Sequence, residues 1–62
     1  MNESRKSLIS NLSADLTIIY AALQALHEAE DKCDDWDENA VGRIYFASNH
    51  VFSAITCLEE IL

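Results

Sequence analysis

The chain is predicted to be all-α: an antiparallel two-helix hairpin that pairs into a homodimeric four-helix bundle. Three observations carry this expectation. The 62 residues include no proline and one glycine, which removes the usual punctuation of turns and β-hairpins. Apolar residues recur in steps alternating three and four on either side of one short polar stretch. Half of the residues are hydrophobic, more than a single hairpin has room to hide.

In the first run the seam positions are Ile9, Leu12, Leu16, Ile19, Leu23 and Leu26, and the same steps continue through Glu30 and Cys33. This places helix 1 at about residues 4–32. The second run reads Val41, Ile44, Ser48, Val51, Ile55, Leu58 and Leu62, with Ser48 the one polar interruption, and places helix 2 at about residues 36–61. An acidic turn at 33–35 joins them, and two helices of equal period with a short connection fold back on each other. Residues 1–62 form one domain without internal repeat, linker or low-complexity tract.

The stretch EDKCDDWDENA, residues 30–40, holds six of the eleven acids and the only tryptophan. Part of that acidity has a structural reason. The first backbone N–H groups of helix 2 need acceptors, which Asp34 or Asp35 can supply. Asp35 with Glu38 has the spacing of a capping box, and Asp37 and Glu38 suit the positive end of the helix dipole. Glu28, Glu30 and Asp31 sit at the C-terminal end of helix 1, where the dipole disfavours them. Seven acids (Glu28, Glu30, Asp31, Asp34, Asp35, Asp37, Glu38) therefore crowd one tip, and a cation, salt or a basic partner would relieve their repulsion.

Each helix also carries a second apolar set. Helix 1 adds Ala14, Ile18, Ala21, Ala22 and Ala25; helix 2 adds Tyr45, Phe46, Phe52, Ala54 and Ile61. Chains this short usually need disulfides, a metal or self-association to be stable. Two cysteines are too few for a secreted disulfide scaffold, which leaves self-association. Burying ~600 Å² of extra apolar area per subunit would supply ~15 kcal/mol before association entropy is subtracted. The expected dimer interface is Ile18, Ala22, Ala25, Tyr45, Phe46 and Phe52.

A formal charge of −7 repels polyanions, so neither nucleic acid nor an anionic membrane is expected as a direct partner. No secretory core is visible, and nothing in the sequence approaches the roughly 20 apolar residues of a membrane span. A soluble, cytoplasmic protein is expected.

Candidate chemistry is thin. Asp35, Asp37 and Asn39 match the first, third and fifth ligand positions of a calcium loop, but Ala40 replaces the turn glycine and Phe46 the closing glutamate. Among transition-metal ligands, a turn near residue 34 would set His27 level with Val41 and His50 with Ile18, about 13 Å apart along the axis, and Cys33 and Cys57 roughly 30 Å apart. No catalytic, cofactor-binding or metal residues are assigned, and no enzymatic activity is expected. Phe46, His50 and Cys57 share one stripe of helix 2, suited to a dimer contact or a partner face.

The expected function is that of a small acidic protein-interaction module, in the manner of bacterial or phage regulators and accessory proteins, that binds a basic partner. Its partner residues would be Asp31, Asp34, Asp35, Trp36, Asp37 and Glu38. Trp36 is either an anchor steered by the acids or a cap folded over Leu26, Ala29 or Ala40. An alternative is a nucleic-acid mimic, which wants acids spread along the molecule; here Ser4–His27 contains only Asp15 and Asn39–Leu58 none. A lower alternative is an RNA- or ligand-binding bundle. The layout resembles that of the plasmid repressor-of-primer proteins, dimers of helical hairpins of similar size, through architecture and no shared motif. That resemblance implies RNA binding by a bundle face, whereas bases at only positions 5, 6, 32 and 43 leave no basic surface for it. A ligand pocket would be expected near Ser48.

Overall fold

The computed structural model describes residues 2–62, which form two helices, α1 (Glu3–Asp31) and α2 (Glu38–Glu60), packed against each other as a hairpin. Each starts on a side-chain cap. Asn2 Oδ1 accepts from the Arg5 backbone N–H at 2.8 Å, and Asp37 Oδ1 accepts from the Asn39 N–H at 2.9 Å. The all-α hairpin expected from the heptad steps is what forms. The connection, residues 32–37, is longer than the expected 33–35, and α2 begins two residues late. Asp37 is therefore the cap, and Asp34 and Asp35, the expected candidates, are not.

The longer connection shifts the pairing. Tyr20 meets Phe52 with ring centroids 5.8 Å apart, and His27 meets Tyr45 at 6.4 Å. Both steps are seven residues (27 − 20 and 52 − 45), so the two contacts share one register. His27 thus lies level with Tyr45 and not with Val41, and by the same register His50 is five residues along, about 7.5 Å at 1.5 Å per residue and not 13 Å.

On α2 the expected seam is observed up to Leu58: Val41, Ile44, Ser48, Val51, Ile55 and Leu58 are buried or half-buried, whereas Leu62, its last expected member, lies past the end of α2 and is exposed. On α1 half of it is. Ile9, Leu16, Leu23 and Glu30 face α2, but the alternate column is Ser13, Tyr20 and His27, while Leu12, Ile19, Leu26 and Cys33 are exposed. The two columns flank the shared one and both satisfy the three-and-four rhythm, so periodicity alone does not choose between them. The aromatic contacts do, since ring pairs contribute about 0.5–1.5 kcal/mol beyond their buried area. The aliphatic column is left facing water.

The hairpin has very little interior. Among the described residues no hydrophobic side chain is buried; Ser13 and Ser48, at 8% and 4% exposure, are the buried ones, short enough to lie beneath neighbours that protrude. The radius of gyration is 14.7 Å, against about 11 Å for a compact chain of this length. The accessible surface is 4753 Å², against roughly 4,000 Å² for a compact monomer of this mass.

By length and composition α1 is also able to cross a membrane, with a mean hydropathy of 1.2 over its most apolar 18-residue window. The expectation that no segment approaches a span was too strong. Asp15 near the middle of α1 opposes that use, because an aspartate at the bilayer centre costs about 2.5–3.5 kcal/mol.

Gly42, in the first turns of α2, has no positive φ, and a Cβ built there meets nothing within 4 Å. Gly42→Ala is therefore expected to stabilise the hairpin by about 1 kcal/mol through helix propensity. Thermal melting followed by circular dichroism should show Tm rising about 4–8 °C; a fall would mean that something outside the hairpin packs on this residue.

Candidate acidic tip and apolar faces

The tip is built where α1 ends and α2 begins. Residues 31–39 are all exposed. Asp37 does two things there: its carboxylate caps α2, and its backbone N–H donates to Glu30 Oε1 at 3.2 Å. This explains an acid that sequence reasoning left in an unfavourable place. Glu30 lies at the negative end of α1, but its carboxylate reaches across to the positive end of α2. The link spans seven residues and has no signal in helical periodicity.

His27 Nδ1 lies 3.4 Å from Asp31 Oδ2, one turn apart on α1, so a protonated imidazole would offset one acid of the tip. Cys33 donates its S–H to the Ala29 carbonyl at 3.2 Å, an ending for α1 that leaves the thiol exposed.

Of the expected partner-binding residues, Asp37 and Glu38 are committed to the start of α2, whereas Asp34, Asp35 and Trp36 lie in the connection outside both helices. Trp36 keeps 51% of its surface exposed, beside four acids within three residues of it.

The six residues expected at a dimer interface are all exposed but do not share one face. Ile18, Ala22 and Ala25 lie on the side of α1 away from α2. Tyr45 and Phe52 flank the seam on its aromatic side. Phe46 lines an open groove of about 340 Å³ on α2 with Glu38, Asn39, Gly42 and Arg43. That groove does not include Ser48, which lies under the seam. Among the described residues no three His, Cys, Asp or Glu side chains converge with the geometry of a metal site.

Fold and tip together define a helical hairpin with a thin interior, an acidic tryptophan-bearing end and exposed apolar faces. No known protein family, curated protein or solved structure matches the chain.

Proposed function

We propose that this protein is a non-enzymatic interaction module: a hairpin that self-associates into a homodimeric four-helix bundle and offers its acidic tip to a basic protein partner. The observation that carries the reading is that no hydrophobic side chain is buried among the described residues, while eleven large ones are exposed. The surface in excess of a compact monomer, roughly 700 Å² per chain, is close to the roughly 800 Å² that each partner buries in a standard interface. Association would supply the interior that the single hairpin lacks.

The tip would then remain as the external recognition element, since its acids lie beyond the helical faces that association covers. Binding at this end is electrostatic in approach and hydrophobic at Trp36, so it weakens as salt rises.

The test is capture of partners from a native lysate by wild type and by a Trp36→Ala, Asp34→Asn, Asp35→Asn variant. All three residues lie outside both helices and α2 is capped by Asp37, so the variant is expected to keep its two helices, which circular dichroism checks. Capture of a basic protein should fall several-fold; equal capture by both proteins would remove the tip as the docking site.

A further inference from the structure

The surface that joins two copies can be located, and this step rests on the self-association proposed above. Tyr20–Phe52 and His27–Tyr45 define one flank of the seam. At 100° per residue, Leu12, Ile19 and Leu26 lie across the seam from that flank, as do Ala47 and Ala54 on α2. The opposite flank of the hairpin therefore presents an aliphatic column on α1 and a small-residue column on α2, both with a seven-residue spacing. Leu12, Ile19 and Leu26 each keep about half of their surface exposed, and Leu8, at the edge of the same flank, keeps two-thirds.

We propose that a second copy of this chain covers this flank, related by a two-fold axis that passes beside Ile19 perpendicular to the helices. The column is symmetric about Ile19, with a leucine seven residues before it and another seven after. An antiparallel α1–α1 contact then sets Ile19 on its own copy and Leu12 on Leu26 of the second chain, and the contact is the same from both sides. The alanines on α2 let the two copies of that helix approach closely.

Charge selects this axis over the other one that could join the same faces. A two-fold along the bundle would bring both acidic tips together, seven acids on each. The perpendicular axis separates them by the length of the molecule, 51 Å. It also brings Arg5, the next member of the aliphatic column seven residues before Leu12, to the level of the acidic tip of the second copy. Asp15 borders the aliphatic column on its outer edge, where it remains hydrated.

Cross-linking tests the arrangement directly. In a chain freed of its own thiols by Cys33→Ser and Cys57→Ser, Ile19→Cys should be converted largely to a covalent dimer by mild oxidation or a short bis-maleimide. Ile18→Cys should not. Leu12→Cys and Leu26→Cys chains should link when mixed and stay single when treated alone, which gives a second measurement should Ile19→Cys lose helicity. If sedimentation finds a dimer but Ile19→Cys and the mixed pair fail to link, this face is wrong and self-association stands. If sedimentation finds a folded monomer, both fall.

Discussion

Ile19→Asp is expected to separate the dimer and take much of the helix with it, whereas Ile18→Asp, one residue along, leaves both nearly unchanged. At a two-fold axis the substitution acts twice. Each copy loses the burial of an isoleucine, about 2 kcal/mol, and the two carboxylates meet at the centre of an apolar contact, where desolvation and like charge add to the loss. A total of at least about 4 kcal/mol weakens association roughly a thousandfold. Because the single hairpin buries no hydrophobic side chain among its described residues, the freed chain has little to hold it folded. Helical circular dichroism should therefore fall along with the sedimentation mass, and the wild-type Tm should rise with protein concentration, as expected when folding and association are linked. Ile18 points away from both the seam and the proposed interface and is already 69% exposed, so an aspartate there meets water. A dimeric Ile19→Asp protein with unchanged Tm would rule out the interface around Ile19.

The contrast between these neighbours shows how far the sequence could be read. Heptad steps are a property of one helix, and they identify two helices and the α2 seam from Val41 to Leu58, missing only that the chain leaves the helix before Leu62. On α1 they fitted two columns equally well. Leucine and isoleucine are the natural choice for a buried column, so the pattern predicts Leu12, Ile19 and Leu26 at the contact with α2; that contact is made by Ser13, Tyr20 and His27. Which column turns inward depends on which side chains wait on the other helix, here Phe52 and Tyr45, and so on a pairing register that one helix does not contain. That register in turn depends on where α2 begins, and the acidic stretch offered several acids able to cap it. The tip was legible as a charge cluster. Its internal order was not, because the Glu30 carboxylate reaching the Asp37 N–H is a contact between helix ends, created by the fold-back itself.

That end contact can be separated from mere acidity by comparing Asp37→Ala with Asp35→Ala. The two substitutions remove the same charge two residues apart in an exposed connection. Asp37 accepts the Asn39 N–H through its side chain and begins the helical ladder through its carbonyl, which takes the Val41 N–H at 2.9 Å. Removing the cap is expected to cost about 1 kcal/mol, with 2 kcal/mol as the upper range. A looser first turn also frees the Asp37 N–H that Glu30 holds, and leaves that carboxylate at the negative end of α1. Asp35 makes no such bond and stands among like charges, so Asp35→Ala should be neutral or slightly stabilising, most visibly at low salt where repulsion at the tip is least screened. Urea unfolding at fixed protein concentration measures both. Equal destabilisation by the two would mean that α2 is capped nearer the point the sequence pattern suggested; a loss confined to Asp37→Ala places the start of α2, and with it the register of the whole hairpin, at Asp37.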